Sequence, residues 1–145
     1  MGTETAGKQG VIVEGDASGF AQRITAGVHR FTADESLASG GTDTGPDPFQ
    51  LLLAALGSCT SMTVALYARR KQWPLERVRV ELAHSKIDGH LDRIERAIDF
   101  DGPLSTDQRR RLLEIAEKCP VHRTLTSDIH IVTRLVELSP DTTLS

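Results

Sequence analysis

The chain carries two thiols, Cys59 within ALGSCTSMT and Cys119 within EKCPVHRTL, 60 positions apart. A thiolate is a nucleophile, a metal ligand and the starting point of reversible oxidation. Cys59 falls among apolar residues at helical spacing, where burial alone raises a thiol pKa and leaves the group inert. To act as a nucleophile it needs solvent access and a nearby cation; Arg23, His29, His122 and Arg123 are the candidates. Cys119 precedes Pro120, and proline suits the first position of a helix, which makes Cys119 an N-cap. Unpaired backbone N–H groups at such an end favour a thiolate, and His122 and Arg123 follow within one turn.

Four readings of the pair stand open at this point. The thiols are small core residues, a structural disulfide, two ligands of a Cys₂His₂ metal set completed by His122 and His29, or a redox pair. A disulfide or a redox pair requires Cα atoms within about 7 Å. The redox reading has a definite course: a Cys59 thiolate attacks a peroxide O–O bond and becomes a sulfenic acid. Cys119 then condenses with it, giving a disulfide and water.

Other chemistries lack their residues. GSCTSMT offers no second ligand beside Cys59, unlike the paired knuckles of structural zinc sites. LGSCT departs from the G-x-S-x-G turn of a serine hydrolase, and GGTDTGPDP lacks the Gly-Lys-Ser/Thr ending of a phosphate loop. No cofactor and no resident metal are expected. A net charge of −3 gives no general pull toward nucleic acid or an anionic membrane. Tyr67 and Trp73 leave little aromatic surface for stacking bases, and Arg109-Arg110-Arg111 reads as a solvated helix face. The polar opening MGTETAGKQG lacks the apolar core of a secretion signal, and two cysteines are too few to staple a secreted domain. The expected location is therefore cytoplasmic.

With 145 residues, 39% hydrophobic and 26% charged, the chain is expected to form one domain over 10–138, between a flexible lead (1–9) and a flexible tail (139–145). Strands are predicted near Gly10–Gly15 and, as a pair, in FAQRITAGVHRF, with the bend at Gly27. A Gly- and Pro-rich loop over 36–48 leads to a long helix from Pro48 to about Lys71, with Asp47 as its N-cap and Pro74 as its stop. Its apolar residues point in most directions, so it is read as a central helix covered by sheet, or by sheet and a partner. Gly57, Ser58, Thr60, Ser61 and Thr63 make it too polar for a membrane span.

Alternation of Val78, Val80 and Leu82 with Arg77, Arg79 and Glu81 predicts a half-buried strand over 77–87. Its antiparallel partner spans 90–100 after a turn at Asp88-Gly89. A second helix is predicted over Ser105–Lys118 with a Ser105/Gln108 capping box, then a short helix from Pro120 to Leu125 and a last strand over 128–138. The order indicates an α+β fold with mostly antiparallel sheet.

The stretch GPDPFQLLLAALGSCTSMTVALYARRK, then LERVRVEL, then CPVHRTL and a terminal strand resembles the OsmC/Ohr family (osmotically inducible protein C and organic hydroperoxide resistance). The resemblance covers roughly residues 10–137. It implies an intertwined homodimer whose sheets wrap the long central helices. It also implies thiol-dependent reduction of organic hydroperoxides, with Cys59 peroxidatic and Cys119 resolving, and regeneration by a dithiol, of lipoyl type in one branch. The family's peroxidases carry a Glu just after the loop proline, orienting an Arg that stabilises the thiolate; this chain has Phe49 there, then Gln50. Arg23, His29 and Arg123 are the candidate thiolate stabilisers that remain. The missing Glu keeps an alternative in view: a weakly active or non-catalytic module binding a lipid or other small molecule, or a redox-sensing or metal-binding protein using the same thiols.

Overall fold

The computed structural model describes residues 10–136; the lead expected over 1–9 and the tail expected over 139–145 lie outside them. Three short strands, β1 (Ile12–Glu14), β2 (Gln22–Ala26) and β3 (His29–Ala33), form one antiparallel sheet in that order. The β2–β3 turn places Gly27 at φ 65°, a left-handed conformation that glycine adopts without a Cβ clash.

The loop after β3 is organised by Asp34. Its carboxylate accepts from the N–H and hydroxyl groups of both Thr42 and Thr44 and from the Glu35 N–H. These bonds hold the Asp34 carboxyl far below the usual carboxylate range, the Thr42 and Thr44 hydroxyls contributing most. The loop delivers Asp47 to the start of α1 (Pro48–Lys71), where Asp47 and Gln50 cap each other reciprocally. Helix α1 ends where Gln72 turns left-handed at φ 59°, two residues before Pro74.

Arg77–Ile87 (β4) and Leu91–Asp101 (β5) form a long antiparallel hairpin, turned at Asp88 and Gly89, both at positive φ. Along it, every second residue turns inward: Val78, Val80, Leu82 and His84 on β4, and Ile94, Arg96, Ile98 and Phe100 on β5. This inner face packs on α1, against which α2 (Thr106–Ala116) also lies. Ser105 and Gln108 form the expected capping box at the start of α2. Val64, Ala68, Phe100, Leu112, Ile115 and Ala116 make the core between these elements. Helix α1 is long and apolar enough to cross a bilayer by length and composition, yet it lines this core with Leu56, Gly57, Thr60, Val64 and Ala68. Its other faces leave Phe49, Met62 and Leu66 exposed.

After the short α3 (Pro120–Leu125), residues 128–136 join no sheet, contrary to the strand predicted over 128–138, whose last two residues lie outside the described range. A strand needs a free edge to pair with, and within this chain none receives the segment. Its apolar residues stay open to water, Ile131 at 80% and Leu135 at 90% exposure.

Candidate active site

Cys59 occupies the middle of α1, and Cys119 caps the start of α3. The fold brings them to one junction: Thr60, next to Cys59 on α1, has its hydroxyl 3.8 Å from Cys119 Sγ, and Cys59 is near enough to help lower the Cys119 thiol pKa. Both are free thiols, Cys59 half-buried and Cys119 fully buried. The capping predicted for Cys119 is present, with the His122 N–H donating to its sulfur at 3.3 Å.

Burial pushes the Cys119 thiol pKa up. Hydrogen bonds from the His122 N–H, Cys59, Thr60 and the Val121 N–H outweigh it, and the net direction is down.

Beside the sulfurs lies a polar cluster that sequence reasoning missed in part. Thr60, fully buried, has its Oγ1 2.7 Å from the Leu56 carbonyl and 3.8 Å from Cys119 Sγ. Arg96 reaches in from β5 with its side chain only 9% exposed. It donates to Thr60 Oγ1 at 2.9 Å, to Glu117 at 3.0 Å and to His122 Nδ1 at 2.9 Å. Arginine only donates, so His122 Nδ1 accepts, which puts the ring proton on Nε2, 3.8 Å from Glu117. A cleft of about 560 Å³ opens next to this cluster, walled by Leu56, Ile94 and Leu125 and by Arg96, Glu117 and His122. Neither cysteine lines this cleft itself; a second hollow of about 670 Å³ lies along the far half of α1 by Trp73, away from the Arg96–His122 cluster.

Of the cations named from sequence, His122 lies in this cluster. Arg123 is exposed on α3 and is tied to Cys119 only through its backbone N–H, which donates to the Cys119 carbonyl. Arg23 and His29 are exposed on β2 and β3, and within this chain neither hydrogen-bonds to a thiol among the described residues. Phe49, at the position of the family's Glu, stacks on His84 with ring centroids 4.5 Å apart; His84 in turn pairs with Asp92 at 2.8 Å. Among the described residues no group of three or more His, Cys, Asp and Glu side chains is placed to hold a metal ion. Arg96 did have a sequence signal: it interrupts the inward stripe Ile94, Ile98, Phe100 with a charge.

A family model described as OsmC-like protein matches residues 41–134. No curated protein matches the chain. The fold is that of several solved structures. An OsmC-like protein from Mycoplasma pneumoniae shares 20% identity over 81% of this chain and 86% of its own, at a TM-score of 0.70. The organic hydroperoxide resistance protein of Bacillus subtilis shares 20% identity over 83% and 92%, at 0.60. An organic hydroperoxide resistance protein OsmC from Legionella pneumophila shares 18% over 82% and 89%, at 0.61. Since the family match takes in the Gly-Pro loop, the hairpin, all three helices and both cysteines, the chain belongs to the OsmC-like family of the OsmC/Ohr group.

Proposed function

We propose that the protein is a cytoplasmic, homodimeric thiol peroxidase that reduces organic hydroperoxides with Cys59 and Cys119. The observation that carries this reading is the convergence of two reduced thiols, one half-buried and one buried, on the Thr60–Arg96–His122 cluster that borders a partly apolar cleft. Cys59, the half-buried member, attacks the outer peroxide oxygen. The O–O bond breaks, Cys59 becomes a sulfenic acid, and its thiol proton ends on the departing alkoxide, which leaves as the alcohol. Cys119 then attacks the Cys59 sulfur, an S–S bond forms and hydroxide leaves to be protonated as water. An external dithiol, of the lipoyl class or similar, returns both thiols.

The dimer is supported by what a single chain leaves bare. Met62 and Leu66 on α1 and the run from Ile129 to Val136 expose apolar groups, and that last segment lacks a strand to pair with.

A second reading has one observation in its favour. Phe49 stacked on His84, in place of a carboxylate, adds apolar surface near the cleft, as a module that binds a lipid or other small molecule would.

Turnover of cumene hydroperoxide by wild type and Cys59→Ser separates the two. Peroxidase chemistry requires loss of turnover in the variant; equal rates in both proteins, or none in either, exclude it.

A further inference from the structure

The donors around the two sulfurs are shared unequally. Cys119 Sγ accepts the His122 N–H at 3.3 Å and has the Thr60 hydroxyl at 3.8 Å. Among the described residues, no backbone N–H or cationic side chain donates to the Cys59 sulfur.

Thr60 links this arrangement to charge. Its hydroxyl has a single proton, and one of its lone pairs receives Arg96 Nη1 at 2.9 Å. The proton can then point to the Leu56 carbonyl at 2.7 Å or to Cys119 Sγ. A negative sulfur favours the second orientation, and the guanidinium polarises the hydroxyl from behind. With its side chain 9% exposed, Arg96 is only weakly screened by water and salt.

The groups facing Cys119 from every packed element are few. They are Cys59 and Thr60 from α1, Arg96 from β5, Glu117 after α2, and His122 from α3; Asp92 of β5 lines the adjoining cleft and is engaged with His84 of β4. Arg96 supplies the fixed positive charge. Glu117, two-thirds exposed, offsets part of it from the solvent side.

We propose that Arg96 and Thr60 are positioning residues that stabilise a Cys119 thiolate, so that Cys119 is a ready nucleophile once Cys59 has become a sulfenic acid. The functional half of this inference rests on the peroxidase reading. In the step concerned, the Cys119 thiolate electron pair forms the S–S bond, the Cys59 S–O bond breaks, and hydroxide departs. Fast closure removes the sulfenic acid before a second peroxide can oxidise it to sulfinic acid. Stabilising the resolving sulfur therefore protects the attacking one.

Two measurements test this. In Cys59→Ser, which leaves Cys119 as the sole thiol, thiolate ultraviolet absorbance is titrated against pH. The midpoint is expected below the free-thiol value of about 8.5. Adding Thr60→Val, nearly isosteric, is expected to raise it by about one unit, and adding Thr60→Ser to leave it in place. A midpoint at or above the free-thiol value, or equal midpoints for the Val and Ser variants, overturns the proposal.

In the two-cysteine protein, Thr60→Val is expected to slow disulfide closure about tenfold at neutral pH, more than it slows peroxide consumption. The sulfinic fraction of Cys59 rises accordingly in excess peroxide, and the closure rate recovers as pH is raised. Arg96→Met acts in the same direction and Arg96→Lys restores part of the loss. Equal slowing of both steps at all pH values would indicate a structural role and overturns the assignment. If wild type consumes no peroxide while the Cys59→Ser titrations behave as expected, the charge placement stands and the peroxidase reading alone fails.

Discussion

Around Cys119 the polar groups are paired, and the described residues contain no buried side-chain N or O atom without a partner. On β1, on the outer faces of α1 and after α3 the reverse holds: Val13, Met62, Ile131 and Leu135 are all more than half exposed. The thiol cluster is assembled by one chain from α1, β5, α2 and α3, because each contributes a side chain to a common junction. The bare surfaces have the composition of a core with nothing packed on them. The contrast teaches that the polar cluster around Cys119 is complete within one chain, whereas these apolar surfaces are left uncovered by it.

The largest effect that would sharpen this contrast is on assembly. Paired Ile131→Asp and Leu135→Asp substitutions are expected to convert a dimer to monomer in sedimentation equilibrium, with helical circular dichroism retained. They remove apolar groups that are 80% and 90% exposed in the single chain, so the chain's own core loses nothing. Loss of helix in the double variant would show instead that the segment belongs to the core of one chain.

Inside the core the order of effects reverses. Leu112 is fully buried among Val64, Ala68, Phe100, Ile115 and Ala116, and Leu112→Ala is expected to cost about 3 kcal/mol in urea unfolding. A cost below about 1 kcal/mol would mean that the site collapses freely or is not packed as described.

Acid tests the loop that leads into α1. Asp34 has a folded-state pKa held far below its unfolded value of about 3.9. Its contribution is therefore fully present above that unfolded value and is lost as pH falls toward the folded one. Asp34→Asn should flatten the acid limb of the stability profile and speed amide exchange at Thr42 and Thr44. An unchanged acid limb would remove Asp34 as the organiser of this loop.

The smallest expected effect is at Gly57. A Cβ there would lie 2.7 Å from Leu82 Cδ1, the end of a side chain that can rotate away. Helix propensity favours alanine by up to about 1 kcal/mol, and repacking offsets it, so Gly57→Ala should change stability by no more than about 1 kcal/mol.

Much of this was legible in the sequence. Asp47, Ser105 and Gln108 marked the helix starts because capping is local chemistry, and the alternating hairpin declared its inner face. The adjacency of Cys59 and Cys119 was stated as a requirement, since 60 positions of chain separate them and only tertiary structure could join them. Arg96 stayed hidden because its strand reads as mixed polar and apolar until its register with β4 puts it beside Thr60. The segment after α3 reads as a strand by its β-branched alternation, yet pairing is a tertiary event, and no strand of the chain's own two sheets pairs with it.

The central claim is that the two sulfurs act on peroxide as one unit. Reduced full-length protein is treated with one equivalent of cumene hydroperoxide near neutral pH, and its peptides are mapped by mass spectrometry without reduction. A Cys59–Cys119 cross-linked peptide, with one alcohol released per chain and no remaining free thiol, is the expected product. Two intact thiols and unconsumed hydroperoxide would refute it.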